Sequence, residues 1–233
     1  MILYVNGDSH SAGAEINNTY AFADDDPVIH NDSGPHPDNI IDSFGFLLSK
    51  KLGYSFITDA RSGASNDRIL RTTKEFLSKN NKDVFLLIQW STFERKEFII
   101  DGENYCFSPG FQHDNKKVVN EFKNYIASLT DEELIKQTNS WHQKIYQFHL
   151  ELNSKNIGHL FFNSYQFFNN QEEKYNWNTQ FIHPYDHQET YYHWLHSQGY
   201  VANEWYHYKK DGHAAWADRL YNWLTTYNLL SYS

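Results

Sequence analysis

Two short segments at opposite ends of the chain carry residues that could form an activated alcohol. Gly7-Asp8-Ser9 follows an apolar run at the start of the chain, and Asp211-Gly212-His213 leads into an amphipathic segment near its end. A serine hydroxyl is almost never ionised at neutral pH, so it becomes a nucleophile only beside a base such as histidine. A carboxylate on the other ring nitrogen holds that imidazole in the productive tautomer. The pattern predicts acyl transfer with Ser9 as nucleophile, His213 as base and Asp211 as the orienting carboxylate.

The elements that must position these residues alternate along the chain. Four short apolar runs, residues 2–6, 54–58, 84–89 and 159–163, are typical of strands buried on both faces. Apolar residues recur at helical spacing between them, with Gly53 placed to end one helix and Thr130 with Glu133 as a capping box for another. Strands that alternate with helices predict an α/β fold, a mostly parallel sheet with helices on both faces.

Three segments interrupt this alternation. Residues 10–37, rich in Asp, Asn, His, Gly and Pro, predict a long loop over the sheet edge. Residues 96–128 contain Asp101-Gly102 between β-forming residues, which predicts a hairpin. Residues 164–206 are dense in aromatic residues and histidine. A chain of 233 residues can form one sizeable core. We therefore expect a single domain over residues 1–233, with insertions at about 96–128 and 164–206.

The predicted topology brings several separated segments to one edge of the sheet. Functional groups gather at the carboxyl ends of parallel strands. Ser9 follows the first strand and Gly63 the second, while Trp90-Ser91-Thr92 follow the third. We expect substrate contacts from four residues of this edge and of the loop before the last helix: Trp90, Ser91, Arg95 and His207.

Gly7-Asp8-Ser9 after a first strand, a glycine loop after the second and a late Asp/His pair resemble the SGNH, or GDSL-type, hydrolases. The resemblance implies a flavodoxin-like three-layer α/β/α fold and hydrolysis of esters, commonly of lipids or O-acetylated sugars. It also implies that the backbone N–H groups of Ser9 and Gly63 receive the oxyanion. Residues 181–186 and 211–217 resemble a poorly characterised branch of the family among phage and bacterial proteins, which brings no substrate with it.

Two features depart from the family's pattern. The family places its aspartate three residues before the histidine, whereas Asp211 and His213 are two apart. The family also has an asparagine after the third strand as an oxyanion donor, and residues 89–95 contain none. Asn66 is included in the predicted oxyanion hole as a substitute, and the sequence leaves Gln89, Ser91 and Thr92 open as alternatives.

Each assignment has a structural alternative. Gly-Asp-Ser also favours a plain turn, Asp211 and Asn66 are good helix caps, and Arg95 could pair with Glu94 or Glu97. A non-catalytic carbohydrate-binding or structural protein on the same scaffold therefore remains open as a function. So does a metal-dependent phosphoesterase, because Asp8-Ser9-His10 offers Asp-x-His after the first strand, although no further bridging segment is evident.

The composition limits the classes of molecule that the protein is expected to bind. A formal net charge of −9 argues against nucleic acid and anionic membranes. Cys106 stands alone, so neither a disulfide framework nor a thiolate zinc site is available, and we expect no metal and no cofactor. Neither a signal-like segment nor eighteen consecutive apolar residues are found. The sequence predicts a soluble cytoplasmic esterase acting on a small-molecule or carbohydrate ester, with its oligomeric state undetermined.

Overall fold

A four-stranded parallel sheet lies at the centre of the protein. The computed structural model describes residues 1–23, 34–80, 82–108, 113–169 and 174–231. Its strands are β1 (Ile2–Asn6), β2 (Ser55–Thr58), β3 (Val84–Trp90), β4 (Lys96–Ile100), β5 (Glu103–Phe107) and β6 (Gly158–Asn163). The sheet has the order β2-β1-β3-β6, and every pairing in it is parallel. The four predicted strands are confirmed, with ends shifted by no more than one residue.

Helices lie between the strands, as the apolar periodicity predicts, and two more helices follow β6. They are α1 (Ser9–Ala12), α2 (Pro37–Ile40), α3 (Phe44–Leu52), α4 (Asn66–Lys79), α5 (Lys116–Ser128), α6 (Asp131–Ser154), α7 (Tyr191–Ser197) and α8 (Lys210–Thr226). Gly53 ends α3 in the left-handed conformation, with φ at 71°. The Thr130 side chain accepts a hydrogen bond from the Glu133 amide at 3.2 Å, so the predicted start of α6 is confirmed. The other half of the capping box is not, because the Thr130 amide donates to the Ser128 carbonyl at 3.0 Å.

Side chains that alternate along each strand build two separate cores. Leu3 and Val5 of β1 pack with residues of α3 and α8, including Phe44 and Trp216. Tyr4, between them, packs on the opposite face with residues of α4 and α6. Both faces of the sheet are therefore covered by helices, and the predicted three-layer α/β/α fold is confirmed.

The first predicted insertion contains the expected hairpin. Strands β4 and β5 pair antiparallel around Asp101 and Gly102, whose φ angles are 54° and 88°. Two consecutive residues with positive φ are what a tight hairpin turn requires, and Asp-Gly supplies them at low cost. The hairpin covers a third apolar cluster, in which Phe107 packs with Val118 and Tyr125 of α5.

The predicted loop over residues 10–37 is only partly confirmed. It is wrong at both ends, because α1 occupies residues 9–12 and α2 begins at Pro37. Residues 24–33 of this segment lie outside the described part of the chain. Within the described ranges, none of the helices has the length and apolar character needed to cross a bilayer.

Candidate functional site

The turn after β1 presents Ser9 at the carboxyl edge of the sheet. Asp8 caps α1, and its Oδ1 accepts a hydrogen bond from the His10 amide at 3.1 Å. Ser9 is the first residue of that helix, so its own amide has no acceptor within the helix. The residue is 7% exposed. The fold therefore places a backbone donor that the helix does not use and a hydroxyl group on the same residue.

The carboxylate of Asp8 is buried and bound by three side chains as well as the His10 amide. Gln89 Nε2 donates to it at 2.9 Å, Ser91 Oγ at 2.9 Å and Arg95 Nη1 at 3.4 Å. Burial pushes the pKa of Asp8 upward. The charges of His10 and Arg95, with hydrogen bonds from the His10 amide and Ser91, outweigh that effect, so the pKa is lower than usual. Asp8 is therefore held as an anion that fixes the turn.

Three residues predicted to contact substrate have other roles in the structure. Ser91 and Arg95 bind Asp8, and Arg95 Nη1 also donates to Ser91 Oγ at 3.0 Å. The Trp90 side chain is fully buried and packs edge-on against Phe161 and Phe148. We correct the prediction for Trp90, because a side chain enclosed in the core offers no surface to a substrate.

Gly63 and Asn66, the other two residues of the predicted oxyanion hole, differ in how they are placed. Gly63 is half-buried in a turn with φ at 74°. Among the described residues, Ser108 Oγ lies nearest to where a Cβ would be, at 3.4 Å. Asn66 is fully buried, its Oδ1 accepts from the Ser91 amide at 2.7 Å, and its Nδ2 donates to the Ser91 carbonyl at 3.0 Å. The structure thus contradicts the predicted oxyanion role of Asn66, since its amide group joins the ends of β3 and α4. Nor does it cap α4, whose N-cap is Ser65.

His213 is buried, and both of its ring nitrogens face other groups. Nδ1 accepts from the Phe44 amide at 3.2 Å, and Nε2 lies 3.4 Å from the Tyr191 hydroxyl. Burial, together with the nearby His10 and His207, lowers the pKa of His213 to about 3. A neutral imidazole that accepts at Nδ1 carries its proton on Nε2. It has no lone pair left to accept a proton from a serine.

Asp211 does not orient His213. It is exposed, and its Oδ1 accepts a hydrogen bond from the Gly212 amide at 2.9 Å. It lies in the first turn of α8, whose N-cap position is Lys209, so the alternative capping role is also wrong. The predicted Asp211–His213 pair is therefore corrected: one member points to solvent and the other into the core.

The structure instead joins His207 to Glu15, a carboxylate that sequence reasoning missed. His207 Nδ1 lies 2.8 Å from Glu15 Oε2. Asn203 Nδ2 donates to the same oxygen at 2.6 Å, and Lys209 Nζ donates to the Glu15 carbonyl at 2.5 Å. Partial burial raises the pKa of Glu15, but hydrogen bonds from His207 and Asn203 and the charges of His207 and Lys209 lower it below its usual value. Glu15 is therefore an anion that receives the imidazole N–H.

His207 also contacts the turn that carries Ser9. The His10 ring lies edge-on to the His207 ring, with centroids 5.6 Å apart, and packs on Tyr191 at 4.9 Å. His10 is buried, which lowers its pKa to about 4 against the opposing pull of Asp8. The two ends of the chain therefore meet at this edge, as predicted, but through His10 and His207. Among the described residues, no hydrogen bond joins Ser9 to His213.

The Glu15–His207 hydrogen bond determines which ring nitrogen of His207 can accept a proton. With Nδ1–H donated to the carboxylate, Nε2 carries the lone pair and can accept a proton. A cation formed on that ring would be stabilised by Glu15. In the described part of the chain, we find no cluster of three or more histidine, cysteine or acidic residues that could hold a metal ion.

Comparisons with known proteins add a family. Residues 25–169, more than half of the chain, match a family of unknown function, DUF6071. No curated protein matches the sequence. Among solved structures, the chain is similar to the psychrotrophic esterase EstA from Pseudoalteromonas sp., inhibited by monoethylphosphonate. The identity is 12%, the TM-score is 0.44, and 97% of each chain is covered. On the family match, this chain belongs to DUF6071.

Proposed function

We propose that the protein is a serine hydrolase that cleaves an ester through an acyl intermediate on Ser9. His207, rather than His213, is the base, and Glu15 is the carboxylate that orients it. The observation that carries the proposal is the 2.8 Å contact between His207 Nδ1 and Glu15 Oε2, next to the turn that holds Ser9. The Gly7-Asp8-Ser9 motif and its resemblance to SGNH hydrolases support the same chemistry.

The proposed reaction uses these groups in two steps. Ser9 Oγ attacks the carbonyl carbon while its proton passes to His207 Nε2, and the carbonyl oxygen becomes an oxyanion facing the amides of Ser9 and Gly63. The C–O bond to the alcohol then breaks, and the imidazolium returns the proton to the departing alcohol. In the second step, water attacks the acyl-serine, gives its proton to Nε2 and releases the carboxylic acid. Ser9 recovers its proton from the imidazolium.

In this proposal, backbone N–H groups stabilise the oxyanion by donating hydrogen bonds to it. Removing one such donor from an enzyme typically costs about 10²–10³ in turnover. The side-chain amide of Asn66 is bonded to Ser91, so it does not take part in the proposed oxyanion hole. Asp8 contributes indirectly, because its buried network fixes the first turn of α1 and hence the direction of the Ser9 amide.

A fluorophosphonate probe and p-nitrophenyl acetate test the proposal. We expect the probe to label Ser9, and Ser9→Ala to abolish both labelling and ester hydrolysis. His207→Gln should slow hydrolysis by at least about 10³-fold. His196→Gln serves as the matched control, because His196 is exposed on α7.

Three results would overturn this assignment. The adduct could map to another residue, Ser9→Ala could hydrolyse the ester at the wild-type rate, or His207→Gln could be no slower than His196→Gln. Equal background rates in wild type and Ser9→Ala would favour a non-catalytic protein on this scaffold.

A further inference from the structure

A cavity of about 530 Å³ lies between the segment that follows β6 and the end of α8. This volume is within the range of sites that bind small molecules. Ser9, Glu15 and His207 are not among its described lining residues, so the cavity is separate from the proposed active site. Five aromatic side chains line it: Trp177, Phe181, Tyr185, Trp223 and Tyr227.

Hydrogen bonds hold three of these rings in place. The Tyr185 hydroxyl accepts a hydrogen bond from the Tyr175 amide at 2.7 Å and another from Trp177 Nε1 at 3.1 Å. Trp223 Nε1 donates to the Thr179 carbonyl at 2.8 Å. Because the polar atoms of these rings bond within the protein, the positions of the rings are set before a ligand arrives, which lowers the entropic cost of binding.

The charges around the cavity favour a cation as its ligand. The face of an aromatic ring carries partial negative charge and attracts cations that lie within about 6 Å of its centroid. Lys174 Nζ lies 5.6 Å from the centroid of the Tyr185 ring, and the Lys174 side chain is exposed, so a second cation can replace it there. The exposed carboxylate of Asp186 also lines the cavity. The formal net charge of −9 draws cations toward the protein as a whole.

We propose that this cavity binds the trimethylammonium group of a small organic cation. Aromatic rings gathered around one cavity are a known means of recognising quaternary ammonium groups. Such a group has no N–H to leave unpaired, and its methyl groups pack against ring carbon atoms while its charge interacts with the ring faces. An anion would be repelled by the ring faces and by Asp186. A neutral ligand of the same shape would gain the packing without the electrostatic attraction.

NMR titration of the ¹⁵N-labelled protein tests this proposal, with the indole N–H signals of Trp177 and Trp223 as reporters. The probes are choline and Nα-acetyl-trimethyllysine, because a trimethylammonium group can come from a free metabolite or from a modified lysine. The neutral counterpart is dimethylbutanol, in which a tert-butyl group replaces the trimethylammonium group of choline. We expect at least one of the two cations to bind about fivefold more tightly than dimethylbutanol. The cation that binds more tightly identifies the source of the group.

Three variants locate the binding site. Tyr227→Leu removes an aromatic face from a side chain that is 44% exposed, so the fold should stay intact while binding weakens about fivefold. Tyr221→Leu is the matched control on α8, because Tyr221 is 36% exposed and is not among the described lining residues; it should change binding by less than about twofold. Lys174→Gln removes the competing ammonium group and should strengthen binding about twofold.

The proposal fails if neither cation binds, or if dimethylbutanol binds as tightly as the better of the two cations. It also fails if Tyr227→Leu and Tyr221→Leu behave alike, or if Lys174→Gln weakens binding. None of these results bears on hydrolysis at Ser9, which the fluorophosphonate probe and the ester assay test separately.

Discussion

Glu15 is held in an unusual backbone conformation by residues from the far end of the chain. Its φ is 61°, a left-handed value that costs a non-glycine residue free energy. Asn203 and His207 bind its side chain, and Lys209 binds its carbonyl oxygen. Those contacts offset the local cost and fix the carboxylate toward the imidazole. Such an arrangement is expected where the position of the carboxylate is important enough to outweigh the cost of an unfavourable backbone conformation.

The charge of Glu15 should matter to catalysis. Glu15→Gln keeps the size of the side chain but removes the anion that stabilises the imidazolium, so we expect kcat/KM for p-nitrophenyl acetate to fall by about 10²–10⁴. Glu121→Gln is the matched control, because Glu121 is an exposed carboxylate on α5. Steady-state kinetics of the two variants make the comparison. A loss in Glu15→Gln no larger than that in Glu121→Gln would refute the role of Glu15.

At the scale of elements, the β1–α1 connection depends on a close approach of the Gly7 backbone to the side chains of Gln89 and Ser11. A Cβ on Gly7 would lie 2.8 Å from both Cβ and Oε1 of Gln89, and it would collide with Ser11 Oγ. Ser11 Oγ and Gln89 Oε1 are already joined by a short hydrogen bond. Gly7 therefore lets β3 lie near the turn, so that Gln89 can reach Asp8.

Gly7→Ala should disturb this connection. We expect a loss of about 1–3 kcal/mol in the free energy of unfolding, since an added methyl group would force a packed site apart. Ester hydrolysis should fall as well, because the turn that aims Ser9 would move. Gly34→Ala is the control, because no described residue lies within 4 Å of its added Cβ. Urea titration and hydrolysis assays measure both effects, and equal stability of the two variants would contradict the packing argument.

The sequence correctly predicted those elements that are determined by residues close together in the chain. Strand alternation, the Asp101-Gly102 hairpin and the caps at Thr130 and Gly53 each depend on residues a few positions apart, and all are confirmed. The proposed base did not follow from such a pattern. His207 and Glu15 are 192 positions apart. The Asp211-Gly212-His213 segment suggested a pair, although its spacing departs from the family's pattern, and the exposed side chain of Asp211 and the buried ring of His213 exclude it. Pairing across the fold depends on tertiary packing, which leaves no short-range signature.

At the scale of the whole molecule, several buried histidines are neutral in the folded state. Burial lowers the pKa of His10 and His149 to about 4, and that of His159 and His213 to about 3. His149 Nδ1 and His159 Nε2 are joined at 2.9 Å. In the unfolded chain these side chains titrate near 6.5. Between about pH 6.5 and 4 the unfolded state binds more protons, so stability falls as the pH falls.

Urea titrations from pH 7.5 to 4.5 test this linkage. We expect the free energy of unfolding to decrease with acid, and His159→Gln to flatten the dependence by up to about 1.4 kcal/mol per pH unit, the value for one proton. His196→Gln, at an exposed position, should leave the slope close to that of wild type. A wild-type stability that stays constant over this range would show that the buried imidazoles are not held neutral.

The contact between Glu15 and His207 also bears on synthesis of the chain. Ser9 is translated nearly two hundred residues before His207, the base in the proposed function. Until His207 is made, the nascent polypeptide carries the alcohol without the imidazole that would activate it. Under the proposed function, hydrolytic competence arises only when the late segment docks onto the early one, so incomplete chains stay inert.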